Sequence, residues 1–240
     1  MKKLIYLMVV IAILGLIVSG CSIPLKSVVP TSEKGNPKPE LSTPEIEMGV
    51  FVDYAVKAAH SRPPYDDTED DYQIRAGIRW GPLPVAYYIS ENVTSSDITA
   101  IQNAFQTWEN EPASNMDYTY VGSVLDTLAG PIRNATNTVS WQNLGSNGPV
   151  AVTYYWYYPS LKQIIEFDIV LNSALTWGSS GFDVQNVITH EAGHTLILFD
   201  LYAPKDGWLT MYGYTWLGDT EKQTLGIGDE LGIQELYPTP

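Results

Sequence analysis

Residues 183–200 read DVQNVITHEAGHTLILFD, and the fold can be worked outward from this stretch. Asp183 is a favourable N-cap residue, and Val184, Val187 and Ile188 follow at helical spacing, so a helix starts here and runs into His190. His190 and His194 stand four residues apart, which puts both rings on one helix face with Glu191 beside them. Two imidazoles so placed can hold one metal ion together. Without that chemistry, the same residues describe a solvated helix with two surface histidines. The chain has only 3 histidines, and the presence of two of them at this spacing favours the metal reading.

Upstream, residues 85–89 are rich in β-formers and follow Pro82 and Pro84, which predicts a strand. Ser95 or Ser96 then caps a helix with the apolar stripe Ile98, Ile101, Phe105 and Trp108, ending near Pro112. Residues 118–121 and 138–141 are short strand candidates; 151–158 and 164–171 are longer ones that the turn at 159–163 joins as a hairpin. Downstream of the histidines, a short helix at 228–237 closes the chain. This order predicts an α+β domain over residues 75–240 with one mixed, twisted sheet of about five strands and roughly three helices.

Neutral imidazole suits zinc, and a site with three protein ligands leaves a position for water. Glu191 stands where its carboxylate can take that water's proton and pass it to a leaving amine. The reaction implied is hydrolysis of an amide. Two histidines do not complete the ligand set.

The chain continues from His190 to Asp200 as HEAGHTLILFD, and here it resembles the metzincin zinc metallopeptidases, whose pattern is HExxHxxGxxH or HExxHxxGxxD. The resemblance implies one catalytic zinc ion with His190, His194 and Asp200 as ligands and Glu191 as general base. If the helix simply continued, Asp200 would lie roughly 240° round and about 9 Å beyond His194, so the chain must turn. The family turns on a glycine. This chain has Ile197, for which a left-handed backbone costs roughly 1–2 kcal/mol.

Further stretches carry the same resemblance. LTMYGY at 209–214 is similar to the Met-turn, which gives Met211 that role and places Tyr212 and Tyr214 along a substrate pocket. LGIGDELGIQELY at 225–237 resembles the closing helix of matrixin-type members, and AFQTW at 104–108 and IEFDI at 165–169 look like their first-helix and sheet sequences. A matrixin-like domain implies a monomeric zinc endopeptidase acting on extracellular proteins or peptides. The chain departs from the animal matrixins in lacking a cysteine-bearing pro-segment and the extra histidines of a structural zinc. Asp168 and Asn172 are candidates for a calcium ion, against the simpler explanation of strand alternation. The rival reading from another class is a non-catalytic surface lipoprotein that retains the fold.

Lys2 and Lys3 precede an apolar run of 15 residues at 4–18, followed by Ser19, Gly20 and Cys21. This is the layout of a secretory signal, and the run is shorter than the roughly 20 residues of a comfortable bilayer span. Residues 18–21 resemble a lipobox, and Cys21 is the only cysteine, so lipid attachment at Cys21 is the expectation, with an uncleaved signal anchor as the alternative. Either way the remainder is secreted and anchored at the outer face of the cell membrane. Residues 22–74 are rich in Pro, Ser, Thr, Lys and Glu and end in an acidic run at 66–71, which reads as a flexible tether or a pro-segment. A formal net charge of −14 excludes a nucleic-acid partner, since phosphate binding needs a basic stripe.

Overall fold

The computed structural model describes residues 44–56, 62, 64–66, 68–75 and 77–240. The expected signal at 1–21, Cys21 and the first part of the expected tether lie outside the described residues.

Seven strands form one mixed sheet: β1 (Glu47–Asp53), β2 (Arg79–Trp80), β3 (Val85–Ser90), β4 (Tyr118–Val124), β5 (Thr138–Gln142), β6 (Ala151–Tyr158) and β7 (Gln163–Asn172). Their order is β1-β6-β7-β5-β3-β4, with β2 beside one end of β7. Strands β3, β4, β5 and β7 run parallel, while β6 is antiparallel to both β7 and β1. Three helices complete the α+β arrangement: α1 (Ser95–Glu109), α2 (Val184–Thr195) and α3 (Ile227–Leu236).

The stripe expected on α1 is the one it buries: Ile101, Phe105 and Trp108 are inaccessible to solvent. Its cap is Thr94 rather than either following serine, with the Thr94 side chain accepting from the Asp97 amide at 3.3 Å. Trp108 ties α1 to α2, its indole N–H donating to the Thr189 carbonyl at 2.8 Å. The Trp80 indole does the same for the end of α2 through the Thr195 carbonyl at 3.1 Å. These two bonds satisfy indole groups that would be costly to bury unpaired.

The sheet has seven strands rather than five, and the added edge strand comes from the segment expected to be a tether. β1 pairs with β6 along its whole length, from Glu47 opposite Tyr157 to Asp53 opposite Ala151. Residues 69–75 are bound too: the Glu69 carbonyl accepts from the Gly228 amide at 3.1 Å, and the Gln73 carbonyl from the Phe199 amide at 2.8 Å. The acidic run expected to be solvated also meets Lys205, whose ammonium lies 2.9 Å from Glu69 and 2.5 Å from Asp71. The reason the strand is hard to read lies in its alternation. In EMGVFVD the apolar set Met48, Val50 and Val52 faces outward, 55%, 42% and 39% exposed, while Gly49, Phe51 and Asp53 face in. A strand whose inward side is Gly, Phe and Asp offers no inward apolar stripe.

Candidate metal centre

The Asp183 side chain caps α2 as expected, accepting from the Asn186 amide at 2.7 Å, and Val184, Val187 and Ile188 are buried. His190, Glu191 and His194 are wholly buried with them. Each imidazole is oriented from behind. The Nδ1 of His190 lies 2.7 Å from the Thr210 carbonyl and that of His194 lies 2.8 Å from the Leu198 carbonyl. A carbonyl only accepts, so both Nδ1 atoms carry the proton, and both Nε2 atoms present a lone pair to the site.

Helix α2 ends at Thr195, and the chain turns where the sequence requires it to. Ile197 has φ of 63°, the left-handed conformation. The amides of Leu196 and Leu198 both donate to the Gly193 carbonyl, at 3.0 and 3.1 Å, closing the helix end. The Ile197 side chain is fully buried in the core. Burying it contributes roughly 1.5–3 kcal/mol, which offsets a left-handed penalty of roughly 1–2 kcal/mol.

The turn delivers Asp200, whose Oδ1 lies 3.1 Å from His190 Nε2 and 3.5 Å from His194 Nε2. Neither contact has hydrogen-bond geometry, so both buried Nε2 atoms are without a hydrogen-bond partner. One ligand atom from each of the three residues lies within 4.8 Å of the others. Tyr202 steadies the carboxylate, its hydroxyl donating to Asp200 Oδ2 at 3.2 Å. Burial works against the Asp200 charge, yet its contacts with the two histidines outweigh burial and hold the carboxyl well below the usual range. Burial likewise works against a charge on His194, but the neighbouring Asp200 reverses the balance and raises it. His190 goes the other way: burial, and then the charge of the fully buried Lys222, keep it below its ordinary value.

Glu191 reaches across to the sheet. Its Oε2 accepts from the Thr153 hydroxyl of β6 at 2.5 Å, and its Oε1 has no partner. Burial pushes its carboxyl up to about 8.

The floor of the site is the turn at 209–214. The Asp229 carboxylate accepts from the amides of Thr210 at 2.6 Å, Met211 at 3.0 Å and Gly226 at 2.9 Å. That clamp fixes both the Thr210 carbonyl behind His190 and the Met211 side chain. Met211 lies under α2 so closely that a Cβ on Gly193 would fall 2.3 Å from its sulfur and 2.8 Å from the Trp108 ring. Gly193 is required here by close approach rather than by backbone angle. Tyr212 and Tyr214 pack edge to face at 5.2 Å, and Tyr214 meets Tyr202 at 5.4 Å, which brings both expected pocket residues beside Asp200.

Asp168 and Asn172 do other work. Asp168 accepts from the Ile132 amide and the Thr138 hydroxyl, and Asn172 holds the loop at 144–149 through Leu144, Gly145 and Pro149. Asp168 belongs to no cluster of His, Cys, Asp and Glu side chains that could hold a metal ion among the described residues. Glu69, Asp71 and Asp206 do form such a cluster, but Lys205 answers two of its carboxylates.

Thr153, Tyr202, Lys222 and Asp229 are absent from the expected site. Thr153, Lys222 and Asp229 reach it through contacts distant in sequence, and Tyr202 through Asp200, two residues before it. Phe51 also arrives from outside, on β1: its ring stacks on His194 with centroids 4.0 Å apart and planes 3° from parallel. No family model matches the chain, and no curated protein sequence does so either.

Proposed function

We propose that the chain is a zinc-dependent metalloendopeptidase of metzincin, matrixin-like type, with His190, His194 and Asp200 as ligands and Glu191 as general base. The observation that carries the reading is the convergence of two unpartnered, buried Nε2 atoms on one Asp200 oxygen. Ligands at zinc distances of about 2.0–2.2 Å in a tetrahedron stand roughly 3.3–3.6 Å from one another. The separation of 3.5 Å falls within that range and the one of 3.1 Å just short of it. Two neutral imidazoles and one carboxylate are also a donor set that suits zinc.

When bound, zinc supplies the Lewis acidity that amide hydrolysis needs. The chain's own residues supply the proton traffic. Glu191 Oε1 accepts the proton of the attacking water and hands it to the leaving nitrogen, while the Thr153 hydroxyl pins Oε2 and so aims the other oxygen. The Nδ1 bonds to Thr210 and Leu198 keep the imidazoles from rotating, and Tyr202 keeps Asp200 in line.

The substrates are peptide bonds of extracellular proteins, and the enzyme is held at the outer membrane face through Cys21 or an uncleaved signal. No helix among the described residues is long and apolar enough to cross a membrane. Metal analysis tests the reading: the purified chain should carry about one zinc. Glu191→Ala should keep that zinc and lose peptide cleavage. Absence of zinc after metal-replete purification refutes the enzyme and leaves the non-catalytic lipoprotein.

A further inference from the structure

A second group of ligand atoms lies where the segment before β2 meets the loop that runs from Asp200 to Met211. One carboxylate oxygen each of Glu69, Asp71 and Asp206 lies within 4.8 Å of the other two. Glu69 and Asp71 stand on the segment, which is fixed there by the Gly228 amide donating to the Glu69 carbonyl at 3.1 Å. Asp206 stands in the 3-10 turn Pro204–Trp208, and its Oδ2 closes that turn by accepting from the Ala203 amide at 3.0 Å.

The other oxygen of Asp206 has no such explanation. Asp206 is 2% exposed, and its Oδ1 is buried without a hydrogen-bond partner. Capping the turn uses one oxygen and leaves the second with its full acceptor capacity. Lys205 does not answer it. Its ammonium lies 2.9 Å from Glu69 and 2.5 Å from Asp71, on a side chain that is 54% exposed. Burial raises the Asp206 carboxyl against the Ala203 hydrogen bond, and the charges of Asp71 and then Glu69 add more than Lys205 takes away. A buried carboxylate oxygen beside two further carboxylates is strongly disfavoured unless a cation answers it.

We propose that Glu69, Asp71 and Asp206 form a calcium site that ties the segment before β2 to the loop between Asp200 and Met211, with the Lys205 ammonium standing in the cation's place until it enters. The donor set decides the ion. Three carboxylates with no imidazole or thiolate suit a hard cation rather than zinc. Ligands from two separate segments suit the flexible coordination of calcium better than the near-octahedral demand of magnesium. Lys205 carries its charge on a flexible, half-exposed stem and can swing into solvent as the cation binds. The loop so tied carries Tyr202, which bonds Asp200, at one end and Thr210, whose carbonyl holds His190, at the other. The site itself contains none of the three proposed zinc ligands, so it stands or falls independently of the metalloenzyme reading.

Calcium binding is measured on the full-length chain by calorimetry and by displacement of terbium(III), a luminescent calcium mimic that Trp208, two residues from Asp206, is placed to sensitise. Wild type should bind one calcium with a dissociation constant on the order of 10⁻⁴–10⁻³ M, the range of extracellular calcium modules. Asp206→Asn should weaken calcium by about tenfold or more, because ligand charge sets affinity. Asp71→Asn, a change at a half-exposed side chain that closes no turn, should weaken it in the same direction and serves if Asp206→Asn does not fold. Lys205→Met should tighten calcium by removing the competing ammonium, and His190→Ala should leave calcium affinity unchanged. Wild type and Lys205→Met that both fail to bind calcium at about 10 mM reduce the cluster to an ion pair and overturn the site. Calcium affinity equal in wild type, Asp206→Asn and Asp71→Asn overturns it too. Calcium lost in His190→Ala but kept in Asp71→Asn moves the ion to the histidines and overturns the proposal in the same way.

Discussion

The two segments that meet at the histidines are held by different forces. Residues 183–200 form a wall embedded in the core: from Thr189 to Leu198 every residue is buried, the backbone is tied to Trp108 and Trp80, and the His190 ring is tied to the turn at 209–214. Residues 47–53 form the facing wall, with one ladder to β6, one buried ring and one carboxylate. The core-bound wall can hold a ligand geometry to fractions of an ångström because moving it means unpacking the domain. The edge-bound wall is held by one ladder and one buried ring, whose burial contributes roughly 1.5–3 kcal/mol.

The largest effects should come from the core-bound wall. His190→Ala should abolish zinc retention, and Glu191→Ala should retain zinc while lowering peptide cleavage by roughly 100- to 10,000-fold. Metal content and cleavage rate are measured on the same preparations. Cleavage by Glu191→Ala at more than about a tenth of the wild-type rate would remove that residue from its role as base.

The same contrast explains what the sequence discloses. The core-bound wall is legible because a helix repeats every few residues: Asp183, the apolar spacing and the histidines lie within one local pattern. Met211 follows at a spacing that the Met-turn likeness picks out. Asp200 is legible only if Ile197 turns, and nothing local tells that the core will bury this side chain deeply enough to offset its backbone. The edge-bound wall is illegible because its apolar residues point outward and Asp53 and Gly49 point inward, the reverse of the pattern that marks a strand on a core. Thr153 and Asp229 act across long sequence separations, Tyr202 stands two residues from Asp200, and the residue types of all three are common on any sheet or loop.

A second effect acts on the sheet beneath β6. Burial, stronger than the opposing hydrogen bonds from Thr138 and Ile132, pushes the Asp168 carboxyl up to about 8. The folded chain therefore holds this proton more tightly than the unfolded chain, where the group titrates near 4. The stabilisation is complete below about pH 4 and is lost as pH rises through about 8. About four pH units at roughly 1.4 kcal/mol each set an upper limit on the order of 5 kcal/mol. Denaturant midpoints of wild type and Asp168→Asn should diverge in the variant's favour from pH 5 to pH 9. A constant difference would mean that Asp168 is ionised throughout.

Two glycines compare the walls directly. Gly193→Ala forces a methyl group into the Met211 sulfur and the Trp108 ring, both in the core, and should lower global stability by about 1–3 kcal/mol. Gly49→Ala meets the end of the Tyr155 ring and should speed amide exchange in residues 47–53 while leaving the global denaturant midpoint within about 0.5 kcal/mol of wild type. If Gly49→Ala lowered global stability as much as Gly193→Ala, β1 would be an integral strand of the domain rather than a weakly held edge.

A separate effect should come from the turn itself. Ile197→Gly relieves a left-handed penalty of roughly 1–2 kcal/mol. It also gives up burial of roughly 1.5–3 kcal/mol and adds a glycine entropy cost of about 0.5–1 kcal/mol. The net change should be a loss of about 1 kcal/mol with zinc content unchanged, because glycine adopts the φ of 63° without strain. Thermal unfolding and metal analysis on one preparation read both terms. If zinc were lost while the fold survived, the left-handed angle alone would not place Asp200. The buried side chain at position 197 would then be holding the turn in register, and the ligand geometry of the core-bound wall would depend on packing beneath it as much as on the backbone above.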